Sequence, residues 1–147
     1  MKYVSTQITF REVPNLVTRC FSISNCGGDC PFCHSPELRE NIGDELADEI
    51  LLSYFRQDKD TVDCYVFLGD GQEPKRMLDI LRLCKEYNYK TCIYVGKNTT
   101  NWKYLRYLDY LKLGSYINDL GGLDCETTNQ RLYKIEDITK QFQNRNI

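Results

Sequence analysis

Apolar residues along this chain follow two rhythms: short near-continuous runs, and stripes spaced three and four residues apart. Residues 3 to 10 carry modest β character, and Leu16 to Ser24 (LVTRCFSIS) alternates well enough to be a strand. From Gly43 and Asp44 onward the period lengthens. Leu46, Ile50, Leu51, Tyr54 and Phe55 recur on one helical face, with Asp44, Glu45, Asp48 and Glu49 weighting the first half as the helix dipole favours. Cys64 to Leu68 (CYVFL) is a short apolar run suited to a strand covered on both sides. Pro74 then occupies a first helical position, and Met77, Leu78, Leu81 and Cys84 continue an apolar stripe through Tyr87. TCIYVG (91 to 96) predicts a strand and Asn101 to Asp109 a helix capped from Thr99 or Thr100. YLKLGSY (110 to 116) predicts another strand, and LYKI (132 to 135) a last one.

Strand followed by helix thus repeats at least three times, the rhythm of βαβ units with right-handed crossovers. Four such units fall well short of the ~250 residues of a complete eight-fold barrel. The expected fold is α/β: an incomplete, open (β/α) barrel with a parallel sheet and helices outside, in one domain spanning 1–147. In such folds the carboxyl ends of the strands build the site. The loop after Ser24, the turn GDGQEP (69 to 74), Gly96 and Lys112 all fall at or near such ends.

Composition narrows the function classes. Hydrophobic residues make up 41% and charged residues 27% of 147, an ordinary globular balance with enough chain for a core. A net charge of -2 provides no basic field, so no nucleic-acid partner is expected. No run approaches a membrane span, and Arg11 and Glu12 fall where a signal peptide would need an apolar core. A cytoplasmic protein without a membrane partner is expected. Eight cysteines in that setting point to metal binding and free thiols rather than disulfides. Cys64, Cys84 and Cys92 lie inside apolar segments and are small buried hydrophobes on this view, while Cys125 in a polar turn stays open.

The chemistry concentrates in residues 20 to 36, CFSISNCGGDCPFCHSP. Cys26, Cys30 and Cys33 are spaced CxxxCxxC, close enough for one looped segment to turn three thiolates to one centre. Gly27 and Gly28 permit positive φ, and Pro31 fixes φ in the second half of the loop. Thiolates select zinc or an iron-sulfur cluster. Three cysteines on a four-iron cube leave one iron open. Two closed sites compete. One is zinc with His34 as fourth ligand, opposed by the adjacency of Cys33 and His34. The other is an electron carrier with Cys20 as fourth cysteine.

The loop resembles the signature of the radical S-adenosylmethionine (SAM) superfamily, in which CxxxCxxC holds a four-iron, four-sulfur (4Fe-4S) cluster and an aromatic residue, here Phe32, precedes the last cysteine. The resemblance implies that Cys26, Cys30 and Cys33 bind that cluster. It further implies that SAM chelates the unique iron and is split by an electron into methionine and a 5'-deoxyadenosyl radical. His34, the only histidine, would contact the adenosine portion of SAM or shape the loop, since hydrogen abstraction by a carbon radical needs no base.

GDGQEP resembles the superfamily's Gly-Gly-Glu-Pro element, which hydrogen-bonds the methionyl amino group, and so implies SAM contacts from Gly69, Asp70, Gly71, Gln72 and Glu73. Gly69 and Gly71 remove obstructing Cβ atoms, and Glu73 offers an anion to an amine. Asp70 and Gln72 interrupt the double glycine. Lys112 lies in an apolar strand, where a buried ammonium needs a partner. YLKLGSY resembles the strand from which glycyl-radical activating members aim a lysine at the SAM carboxylate. The alternative is a side chain reaching solvent at a strand edge.

The stretch KLGSYINDLGGLDCETTNQRLYKI (112 to 135), with TCIYVG before it, is similar to the carboxyl-terminal part of activating enzymes for anaerobic (class III) ribonucleoside-triphosphate reductase. The resemblance implies a radical SAM oxidoreductase that makes a glycyl radical on that reductase, supplied by an electron donor such as a flavodoxin-type protein. Thr127 to Arg131 would line the mouth of the active site without a catalytic role. Two other functions remain open: the same chemistry on a different glycyl radical enzyme or a small molecule, and a non-enzymatic iron-sulfur or zinc module.

Overall fold

The structure is a computed structural model that describes residues 1–26, 36–97, 100–114, 123, 128 and 130–137. Its strands are β1 (Lys2–Thr9), β2 (Thr18–Ile23), β3 (Asp44–Glu45), β4 (Cys64–Leu68), β5 (Lys90–Tyr94), β6 (Tyr110–Leu113) and β7 (Arg131–Lys134). Helix α1 (Asp48–Asp58) lies between β3 and β4, and α2 (Pro74–Glu86) between β4 and β5. Short 3-10 helices span Pro36–Arg39 and Trp102–Tyr107.

The strands form one open seven-stranded sheet among the described residues, in the order β3-β1-β2-β4-β5-β6-β7. β2, β4, β5 and β6 run parallel, as the βαβ rhythm predicts. The sheet as a whole is mixed rather than parallel: β1 and β3 on one side and β7 on the other are antiparallel to their neighbours. The connection from β1 to β2 contains no helix, and a strand returned by a short loop pairs antiparallel.

The pleat divides the central strands between two cores. Along β4, Tyr65 and Phe67 face the helices while Cys64 and Val66 face the other way, and all four are fully buried. This is why CYVFL is apolar at every position. On the first face, Phe21, Ile23, Phe67 and Ile93 pack with Leu51 and Phe55 of α1 and Met77, Ile80 and Leu81 of α2. On the second, Cys20, Cys64, Val66 and Cys92 pack with Val13, from the segment between β1 and β2. Cys84 lies in the helix-side core, so Cys64, Cys84 and Cys92 are indeed small buried groups.

Two elements depart from the sequence pattern. Helix α1 starts at Asp48 and not at Asp44, because Asp44 and Glu45 pair with Tyr3 and Lys2 as β3. Gly43 makes this possible, with φ +102° and a position where a Cβ would meet Tyr3 O at 2.2 Å. Leu46 is buried in the connector, its amide donating to Met1 O at 2.9 Å. The segment predicted as a helix over 101 to 109 is the 3-10 helix Trp102–Tyr107, capped by the Asn101 side chain, which accepts from Lys103 N at 3.0 Å. Thr100 is not the cap, and Thr99 lies outside the described residues.

A buried ion pair joins α1 to the sheet. Arg19 donates to both oxygens of Asp58, Nε to Oδ2 at 2.9 Å and Nη2 to Oδ1 at 2.8 Å, and Tyr65 OH donates to Oδ2 at 2.7 Å. The guanidinium also lies 4.5 Å from the centre of the Tyr54 ring. Among the described residues, no helix is long and apolar enough to cross a membrane.

Candidate functional site

Because β2, β4, β5 and β6 run in one direction, their carboxyl ends share one edge of the sheet. Ser24 to Cys26, Gly69 to Glu73, Val95 to Gly96 and Gly114 therefore come to that edge together. This is the edge the alternation of elements predicts for a site.

At the end of β2, Cys26 N donates to Leu38 O and Asn25 N to Glu40 O, both at 2.9 Å. The 3-10 turn Pro36–Arg39 thus brings the chain back beside the residue from which the cysteine loop departs. Cys30, Phe32, Cys33 and His34 lie outside the described residues. Of the five described cysteines Cys26 alone is partly exposed, whereas Cys20, Cys64, Cys84 and Cys92 are buried. Among the described residues, no three His, Cys, Asp or Glu side chains are grouped to hold a metal ion. Cys20 sits in mid-strand between Gln7 and Val66, and burial, then the charge of Glu12, pushes its thiol up to about 12.

At the end of β4, the glycine turn has positive φ at Gly69 (+103°), Gly71 (+64°) and Gln72 (+59°). Gly69 N donates to Tyr94 O at 3.0 Å, which ties the turn to the end of β5. A Cβ at Gly71 would lie 3.3 Å from both Ile23 Cγ2 and Met1 Cγ, so the turn sits closely on the end of β2. The side chains of the turn are engaged within the protein. Asp70 Oδ1 accepts from Gln72 N at 3.0 Å, and its Oδ2 accepts from Tyr104 OH at 2.9 Å. Gln72 Nε2 donates to Asn25 O at 3.0 Å and to Asn25 Oδ1 at 3.3 Å, while Asn25 Nδ2 donates to Gly71 O at 3.2 Å.

Glu73 Oε2 lies 2.7 Å from the Met1 amino group, which Glu45 also contacts at 3.0 Å. Burial alone would lower the pKa of that amine, but the two carboxylates hold it above its ordinary value. What the turn presents at the edge is thus glycine backbone, with its polar side chains serving to shape it.

Lys112, near the end of β6, is 8% exposed and pairs in register with Tyr94. Its Nζ donates to Gly114 O at 2.9 Å and stands 5.6 Å from the centre of the Tyr94 ring. The side chain is therefore buried and does not reach solvent at an edge. Gln130 Nε2 donates to the same Gly114 carbonyl at 3.3 Å. From the 127 to 131 element, Thr128 and Gln130 are both buried, and Gln130 N donates to Thr128 Oγ1 at 3.0 Å. Thr127 and Asn129 lie outside the described residues, as does Cys125. Tyr94 OH donates to Glu12 O at 2.5 Å, and burial, followed by the neighbouring Cys92, pushes this phenol upward.

Sequence reasoning missed Asn25 and the Asp70–Tyr104 contact. The one available signal was an asparagine just where the chain leaves a strand and needs positive φ, a conformation asparagine tolerates. A recess of about 420 Å³ lies at the opposite edge, lined in part by Lys90, Leu105, Arg106, Asp109 and Lys134. It contains none of the predicted site residues. No protein-family model, no curated protein and no solved structure matches the chain.

Proposed function

We propose that this chain is a radical SAM activase whose product is a glycyl radical on an anaerobic ribonucleoside-triphosphate reductase. The observation that carries the proposal is the meeting of two motifs, the start of the cysteine loop and the glycine turn. They are bonded side chain to backbone across 46 and 47 residues at the carboxyl edge of parallel strands. The open (β/α) barrel of the radical SAM type is the corresponding fold proposal. It is supported by four adjacent parallel strands, in a sheet that is open among the described residues, with α1 and α2 on one face.

Cys26, Cys30 and Cys33 would hold a four-iron, four-sulfur cluster. The residues fit such a group: the donors are soft thiolates, Cys26 is accessible, and the adjoining turn is kept free of Cβ atoms at Gly69 and Gly71. When bound, that cluster supplies the electron that divides SAM into methionine and the 5'-deoxyadenosyl radical that takes a glycine Cα hydrogen. The chain's own work is to bind, orient and shield. Phe32, Cys33 and His34 would flank SAM from the loop. Gly69 to Glu73 would do so from the turn, through backbone groups, since the Asp70, Gln72 and Glu73 side chains have other partners. Lys112 would place a positive charge toward the SAM carboxylate, steadied by the Gly114 carbonyl and the face of Tyr94. The second face of the sheet is covered by Val13 and Leu16 of the segment between β1 and β2, so a loop of the reductase, and an electron donor such as a flavodoxin-type protein, would approach at the carboxyl edge instead.

Cys20 weighs against a closed four-cysteine site, because it is buried in mid-strand against Val13, Cys64 and Cys92 and away from the end of β2 where Cys26 begins the loop. The test mixes anaerobically reconstituted protein with reductant, SAM and the reductase, and the expected result is a glycyl radical doublet by electron paramagnetic resonance. SAM cleavage without the doublet would reassign the chemistry to another glycyl radical enzyme or a small molecule. A wild-type chain that takes up no iron and sulfide, or a Cys20→Ala variant that loses them, would overturn the radical SAM reading.

A further inference from the structure

We propose that Asn25 and Gln72 are positioning residues whose amide clasp holds Cys26 in register with the glycine turn and so sets the affinity for SAM. The inference rests on the radical SAM reading and adds to it Asn25 and the side chain of Gln72, neither of which need touch the cofactor.

The clasp is reciprocal. Gln72 Nε2 reaches Asn25 O at 3.0 Å and Asn25 Oδ1 at 3.3 Å, and Asn25 Nδ2 reaches Gly71 O at 3.2 Å. Both residues have φ +59°, a left-handed conformation that asparagine tolerates and glutamine disfavours. Two non-glycine residues held there, side chains interlocked, mark a geometry fixed by its surroundings.

Those surroundings are specific at both ends. Asn25 N is bonded to Glu40 O and the next amide, Cys26 N, to Leu38 O, so Asn25 joins the end of β2 to the returning arm of the cysteine loop. Gln72 N is held by Asp70, whose other oxygen is bonded to the hydroxyl of the fully buried Tyr104. A continuous series of contacts therefore runs from the core at Tyr104 through Asp70, Gln72 and Asn25 to the first cysteine. SAM on the reading above must touch both the cluster on the loop and the turn, so the spacing between loop and turn decides whether it can do both. Outer partners that orient a ligand group commonly account for about 10- to 100-fold in affinity.

Asn25→Gly and Gln72→Gly remove the amides while suiting the positive φ, so the test does not confuse lost contact with backbone strain. In metal-free protein, each variant is expected to exchange the Cys26 amide hydrogen faster, with the amides of β4 and β5 unchanged. In cluster-loaded protein each is expected to keep wild-type iron and sulfide yet need about 10- to 100-fold more SAM to perturb the cluster's paramagnetic spectrum. The double variant is expected to be weaker than either single one but by less than the two losses combined, because only the bond from Gln72 Nε2 to Asn25 Oδ1 is removed by both. Unchanged Cys26 exchange, wild-type SAM affinity in both loaded variants, or additive losses in the double variant would each overturn the clasp. A wild-type chain that takes no cluster would instead defeat the activase reading, and Cys26 exchange in the metal-free variants would then decide the clasp by itself.

Discussion

At Cys20, Cys64, Cys84 and Cys92 the surrounding core withholds water from sulfur, and burial pushes each thiol up from its ordinary value of 9.0. The folded chain therefore keeps protons that the unfolded chain releases. Stability is expected to be full below about pH 9 and to fall as pH rises through the folded values, by up to about 1.4 kcal/mol per pH unit for each thiol. Urea midpoints measured under reducing conditions from pH 8 to 10.5 check this, and a flat profile would contradict it. The buried tyrosines Tyr65, Tyr94 and Tyr104 are shifted upward as well, so they add to the fall and do not offset it. The position of a residue on its strand also explains what could be read in advance. Thiolate type and spacing at 26, 30 and 33 are local facts. That Cys20 belongs to the sheet core follows only from the pleat, which turns it toward Val13, Cys64 and Cys92. Asn25 and Gln72 were less legible still, since their meaning lies in a contact across 46 or 47 residues.

Among the elements, β4 and α2 were the most legible. CYVFL is covered on both faces, and Pro74 begins α2, as the pattern predicts. The start of α1 was not legible, because the pairing of Asp44 with Tyr3 overrides a helical stripe whose acidic residues suit a first turn. Arg19 was equally hidden. Its alternating strand gives no sign that α1 ends on a carboxylate opposite it, yet the pair fastens that helix to β2. Asp58→Ala leaves the guanidinium buried without its partner and is expected to cost about 3 to 5 kcal/mol, read as a lower urea midpoint at unchanged slope. Replacing both, Arg19→Met with Asp58→Leu, is expected to cost less than Asp58→Ala alone. If the double replacement proves as damaging as the single one, the loss is one of packing rather than of an unpaired charge.

The whole molecule keeps its apolar cores on the two faces of the sheet and its candidate chemistry along one edge. None of Cys26, Gly69 or Gly71 belongs to either core. Removing the proposed cluster with a chelator is therefore expected to leave the far-ultraviolet dichroism and the urea midpoint of the chain essentially unchanged. Collapse of the fold would instead mean that the metal is structural. The backbone bonds from Cys26 to Leu38 and from Asn25 to Glu40 bear on this directly, because main-chain contacts of the protein itself hold the two arms of the cysteine loop side by side and offset part of the entropy of closing it. On the proposal that Cys26, Cys30 and Cys33 hold a cluster, oxygen that bleaches it would thus leave behind a vessel and not a wreck. Iron and sulfide restored under anaerobic conditions would then be expected to refill it on the mature chain, without a fresh round of synthesis.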